Sequence, residues 1–129
     1  MSETALETVF DHLHARRRRD IAAVASGLDP HVVHQGVEPE LVCHGREQVL
    51  ERVRHSFGPR DDSGIDWLEL VAAGDRVVVG LSGARFRENP LLDGHLFMVY
   101  TVRDGTITRM DDCRTRDQAL RIAGAPATA

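Results

Sequence analysis

The sequence contains no lysine. All 16 basic residues are arginine, and they face 20 Asp and Glu for a net charge of -4. Nucleic-acid binding needs a basic surface that releases counterions from phosphates, so this balance speaks against a nucleic-acid partner. Also missing is any run of about 18 uninterrupted apolar residues, the length needed to cross a bilayer as a helix, so no membrane role is expected. The opening stretch MSETALETVFDHL has neither the positive n-region nor the long apolar h-region of a secretory signal, which makes the cytoplasm the expected compartment. Cysteine is scarce. With only Cys43 and Cys113, two free thiols are expected in a reducing compartment rather than a bridge.

Local chemical signatures are absent as well. No CxxC or HxxxH spacing occurs. His31 and His34 lie three apart on an extended segment and so point to opposite faces, and the adjacent Cys43 and His44 share that problem. No metal site follows from local sequence, which leaves only a distant assembly through His95 or Cys113. Neither a GxSxG elbow nor a Gly-rich phosphate cradle is present, and no cofactor is implied. Any catalysis is therefore directed toward general acid–base work by His and a desolvated Asp inside a pocket.

What is present reads as one domain over residues 1–129. Leu6, Val9, Phe10 and Leu13 fall at i, i+3, i+4 and i+7, one face of a first helix running to the arginines at 16 to 19. That RRRR run reads as a solvated face or turn, with an anionic partner or an interface as the alternative. Asp20 is a plausible N-cap for a second helix carrying Ile21, Val24, Ala25 and Leu28, and Gly27 with Asp29-Pro30 is expected to stop it. A short strand over His31 to His34, a loop, and an extended piece at Leu41 to Cys43 follow. Val49, Leu50, Val53 and Phe57 give a third helix its apolar stripe.

Beyond residue 60 the period changes to that of strands. IDWLELVAAG, DRVVVGLSGARF, HLFMVYTVRDG and TITRMDDCRT predict a four-stranded meander, with tight turns at Gly74-Asp75 and Asp104-Gly105. DQALRIAG predicts one closing helix. Helices followed by long antiparallel strands specify an α+β fold, with helices on one face of a curved sheet. HLFMVYTV and DRVVVGL are apolar on both faces, so the far side needs cover from a partner chain or from the sheet's own curl. A homodimer through that outer face is the expectation.

The order of these segments, with HGREQVLERV opening the third helix and VRDGTITRMDD near the end, resembles the nuclear transport factor two-like (NTF2-like) superfamily. Within it the chain is most similar to the SnoaL-like polyketide cyclase and ketosteroid isomerase-like group, over residues 4 to 123. The resemblance implies a cone of curved antiparallel sheet, with three N-terminal helices packed on its concave face around an apolar pocket, usually in a homodimer. It implies an apolar small-molecule ligand but no single reaction, because isomerases, cyclases, epoxide hydrolases and non-catalytic binders share the fold.

The candidate residues can be placed on that frame. The resemblance implies that VVHQGVEP corresponds to the stretch where the isomerases carry a carboxylate base, and the nearest match to that base here is His34 or Gln35. Asp112, in RMDDC, lies on a strand expected to be buried, where a carboxylate needs a partner or an upward pKa shift. His34 and Asp112 are therefore expected to face one pocket as an acid–base pair, with Asp111 facing away and solvated. The other reading has Asp112 paired with Arg109 or Arg114 at the sheet surface. Trp67 and Tyr100 are pocket or core aromatics, His95 is a ligand contact or a strand start, and Arg85 is read first as a solvent-exposed strand residue, with holding an anionic group or pairing with a carboxylate as the alternatives. An epoxide hydrolase arrangement of Asp, Arg and Asp could draw on Arg85 and Asp112, but offers no evident second aspartate. Two function classes follow: an acid–base enzyme on an apolar, oxygenated molecule, and a non-catalytic binder of such a molecule.

Overall fold

The computed structural model describes residues 4–57 and 66–126. The chain opens with α1 (Ala5–Arg17) and α2 (Ile21–Ser26). Thr4 and Glu7 form a capping pair at the start of α1, the Thr4 hydroxyl accepting from the Glu7 amide at 3.2 Å. Asp20 caps α2 as expected, accepting from the Ala23 amide at 3.1 Å. The buried side of α1 differs from the expected one. Val9, His12 and Leu13 are buried, whereas Leu6 and Phe10 are 39% and 43% exposed. The helix is turned so that Val9, Leu13 and Arg16, at i, i+4 and i+7, look inward, which brings a histidine under cover and leaves a phenylalanine out.

β1 (Leu28–Gln35), β2 (Val42–His44) and α3 (Arg46–Phe57) follow. Asp29 and Pro30, expected to stop the second helix, belong to β1 itself. The pairing register shifts between Leu28 and Val33, which accommodates a proline that has no N–H to donate. The strands β3 (Asp66–Ala73), β4 (Arg76–Ser82), β5 (His95–Arg103) and β6 (Thr106–Cys113) form the expected meander. Asp104 and Gly105 both adopt positive φ, 51° and 76°, as the two-residue hairpin turn between β5 and β6 demands. One strand is shorter than expected: β4 ends at Ser82, and Arg85 sits on the single-turn α4 (Ala84–Arg87). Gly83, at φ 139°, makes that change of direction in a region closed to other residues.

The six strands run in the order β2-β1-β6-β5-β4-β3 as one curved sheet. Every neighbouring pair is antiparallel except β1 with β6, which is parallel. The main core lies between the inner face and α1 to α3, built from Val9, Val24, Val49, Val79, Met98 and Tyr100 among others. α5 (Arg116–Ala123) packs on the outer face, where Ala119, Leu120 and Ala123 join Val78, Val99 and Cys113 in a second core. The apolar outer strip is thus covered from within the chain. Thr115 caps α5 by accepting from the Gln118 amide, and Gly124 ends it in the left-handed conformation at φ 73°.

Leu120 is 1% exposed and joins α5 to the sheet. Leu120→Ala should lower unfolding free energy by about 2–5 kcal/mol, read as an earlier urea midpoint. An unchanged midpoint would mean that α5 contributes nothing to the fold.

Candidate functional site

A cavity of about 240 Å³ lies between α1, α3 and α4 on one side and the inner face of β1, β4, β5 and β6 on the other. Leu13, Val53, Phe57, Leu81, Phe86 and Met98 give it an apolar wall. Against that wall stand His34, Asp112, Arg16, Arg52, Ser56 and Tyr100.

His34 and Asp112 come from opposite ends of the sequence, and strand pairing joins them. In the parallel register His34 sits opposite Met110, and Asp112, two residues further along β6, shares Met110's face. The His34 Nε2 to Asp112 Oδ1 distance is 2.8 Å, with each side chain only 8% exposed. A carboxylate oxygen only accepts, so the imidazole donates from Nε2, and its neutral tautomer leaves the lone pair on Nδ1. The second carboxylate oxygen of Asp112 lies 3.7 Å from Arg52 Nη2. Asp112 is therefore buried with two partners, which removes most of the penalty of burying a carboxylate in apolar surroundings.

Helix periodicity supplies the rest. On α3, Val49, Arg52, Val53 and Ser56 follow at i, i+3, i+4 and i+7, so the stripe that packs on the sheet also delivers a guanidinium and a hydroxyl to the cavity. Arg16 reaches across from α1 and donates to the Ser56 hydroxyl at 3.3 Å. Ser56 in turn donates to the Val53 carbonyl at 2.6 Å. Tyr100 is fully buried, and its hydroxyl lies 3.6 Å from Met98 Sδ. Burial raises the Tyr100 pKa, the Asp112 charge adds to the rise, and Arg16 opposes it. Behind the cavity wall, His12 packs edge-on against the Tyr100 ring at 5.4 Å between centroids. It is 4% exposed, and neither ring nitrogen has a hydrogen-bond partner among the described residues. Burial holds its pKa well below the usual imidazole value, helped by Arg16 and then His34.

Of the residues singled out in the sequence, His34, Asp112, Arg85 and Tyr100 line this cavity. His95 does not. Leu96, Met98 and Tyr100 point inward on β5, so the alternation of the strand turns His95 the other way, and it is exposed. Trp67 pairs with Leu81 between β3 and β4, and its side chain lies outside the described residues. Asp111 does face away from Asp112, but it is 9% exposed rather than solvated, because Arg109 clasps it from the same outer face at 3.0 Å. Arg114 pairs with Glu38 at 2.6 Å, so neither arginine considered for Asp112 is its partner. Cys43 and Cys113 are free thiols. Burial, with Asp111 and Asp112 adding, pushes the Cys113 thiol up to about 11. No group of three or more potential metal ligands occurs among the described residues.

Four contributors carried no signal in isolation: His12, Arg16, Arg52 and Ser56. The usable signal was their helical spacing to Val9, Leu13, Val49 and Val53, which puts a polar residue in line with a buried stripe.

A family profile described as the SnoaL-like domain matches residues 9–110. No curated protein matches the chain in sequence. Among solved structures, an LEH-like epoxide hydrolase from M. tuberculosis superposes with a TM-score of 0.66 at 18% identity, covering 91% of this chain and 86% of that one. A candidate polyketide cyclase from Sinorhizobium meliloti gives 0.64 at 21% identity, covering 83% and 94%. An NTF2-like protein from Cytophaga hutchinsonii gives 0.63 at 13% identity, covering 92% and 96%. At these identities the likeness is one of fold.

The state of His12 generates a pH prediction. Its imidazole titrates near 6.5 when unfolded and lower when folded, so it costs nothing above that pH. As pH falls below 6.5 the unfolded chain takes up a proton that the folded ring refuses, and stability drops by up to about 1.4 kcal/mol per pH unit until the folded pKa is reached. His12→Phe should remove that component, so the urea midpoint of the variant should fall less than that of the wild type between about pH 7 and pH 5. Equal losses in the two proteins would show that His12 is protonated in the fold.

Proposed function

We propose, from the premise that the chain belongs to the SnoaL-like domain family, that it moves a proton on an apolar, oxygenated small molecule held in the cavity. The observation that carries this reading is the His34–Asp112 contact of 2.8 Å, set beside the apolar wall of the cavity. His34 takes a proton from a carbon next to a carbonyl through Nδ1. The Asp112 carboxylate fixes the tautomer and stabilises the imidazolium that forms. Arg16 and Arg52 line the same cavity, where a guanidinium stabilises negative charge developing on the ligand's oxygen. Return of the proton to a different carbon completes an isomerisation; attack of the enolate carbon on a second carbonyl of the same ligand, which opens that C=O to an alkoxide that takes the proton back from His34, completes a cyclisation. An epoxide hydrolase of the Asp, Arg and Asp kind has less support, because Asp112 is the only aspartate among the described residues lining the cavity.

A second reading rests on Arg52. A carboxylate held by both an imidazole and a guanidinium is a stable charge cluster, and it serves a pocket that binds without turnover equally well.

Exchange of carbonyl-adjacent hydrogens into deuterated water, followed by NMR over a panel of apolar ketones and β-dicarbonyls, tests the first reading. His34→Ala and Asp112→Asn should each slow exchange by about 10²–10⁴-fold, the range that general acid–base catalysis contributes. Exchange that survives both changes removes the pair from the mechanism, and ligand binding with no exchange in the wild type favours the binder.

The homodimer is proposed on the strand composition, and α5 has taken over much of the surface that called for it. Light scattering at micromolar concentration should show a species of twice the 14.3 kDa chain. A monomer alone would end that proposal.

A further inference from the structure

The cavity runs across the strands of the sheet. His34 on β1 and Asp112 on β6 stand at one end, Met98 and Tyr100 on β5 lie in the middle, and Leu81 on β4 lies at the other end. The strand order β1-β6-β5-β4 separates the two ends by three inter-strand steps, about 14 Å at about 4.8 Å each. Phe86 closes the end away from the reacting pair. β4 stops at Ser82, Gly83 turns the chain at φ 139°, and the Phe86 amide donates back to the Gly83 carbonyl at 3.1 Å. Had β4 run straight on, Leu81, Gly83 and Arg85 would share the inner face and Phe86 would face outward. The single turn of α4 instead carries Phe86 inward, where it is 7% exposed and lines the cavity.

We propose that Phe86 sets the specificity of the cavity, limiting the substrate to one-ring or two-ring carbonyl compounds of about ten non-hydrogen atoms in preference to four-ring skeletons. The size follows from the volume. An apolar cavity of about 150 Å³ accepts benzene, with its six carbons, and in proportion the 240 Å³ found here accommodates about ten such atoms. The position of the reacting carbon is fixed at His34, so the rest of the ligand extends over Met98 toward Phe86. Each methylene buried along that path should raise affinity about fourfold. Atoms beyond the limit either press on Phe86 or lie in water, and neither adds affinity. This inference rests on the proton-transfer reading of the same cavity and names the size class of its substrate.

The test uses the cycloalkanones from cyclohexanone to cyclododecanone, all of which carry hydrogens next to the carbonyl. Calorimetric titration of the whole protein should show affinity rising about two- to fourfold with each methylene up to a ring of about nine carbons, then levelling or falling. Phe86→Ala should carry the rise on by about two or more ring members, and Phe86→Leu by about one. The leucine variant keeps an apolar side chain in the core and decides the role of Phe86 where the alanine variant does not fold. A rise that continues unbroken to cyclododecanone in the wild type overturns the inference, as does a break that stays in place in the folded Phe86 variants or an absence of binding by every ketone. A break at the expected size without exchange of hydrogen for deuterium in the bound ketones overturns the proton-transfer reading alone. Exchange with no break overturns this inference alone.

Discussion

A carboxylate placed under an apolar wall must be partnered, and Asp112 is partnered by His34. Much of the architecture can be read from that requirement. The contact needs β1 beside β6 and parallel to it, in the register that sets His34 against Met110. It needs the inner face of β6 to continue past Met110 without a further shift. It also needs α3 above it, because Arg52 sits on the stripe that packs against the sheet and completes the surroundings of the second carboxylate oxygen. A register slip of one residue in β1 would turn His34 to the outer face and leave Asp112 with a guanidinium 3.7 Å away as its nearest partner.

The sequence made some of this legible and hid the rest for identifiable reasons. The strands were evident because long β-branched and aromatic runs bounded by Gly74-Asp75 and Asp104-Gly105 have few other solutions. His34 and Asp112 stood out because each is titratable on a segment otherwise apolar. The arginines did not, since RRRR at the end of a helix has the composition of a solvated surface, and only the turn of α1 decides that Arg16 looks inward. That turn is a tertiary choice. The pattern Leu6, Val9, Phe10 and Leu13 fits one helix face well, yet the helix buries His12, packed against Tyr100, and leaves Phe10 exposed. Arg85 was placed on a strand because ARF continues an apolar run, and Gly83 ends that strand through its backbone conformation alone.

The closing helix shows the same limit. DQALRIAG is a clear amphipathic pattern, but nothing in it says which face of the sheet it meets. Its position on the outer side explains why HLFMVYTV and DRVVVGL are apolar on both faces within a single chain. The fold therefore has two unequal cores. The larger encloses the cavity, and the smaller backs β4, β5 and β6 from the outer side. Rigid strands suit a site in which two side chains must stay within hydrogen-bond reach.

The parallel seam between β1 and β6 has a further consequence in time. The residues that it brings together, His34 and Asp112, are 78 positions apart. Contacts of such separation form late, because the loop between them must close before they are rewarded. β6 follows every other strand in the sequence, so helices and hairpins nearer the start can form before His34 and Asp112 meet.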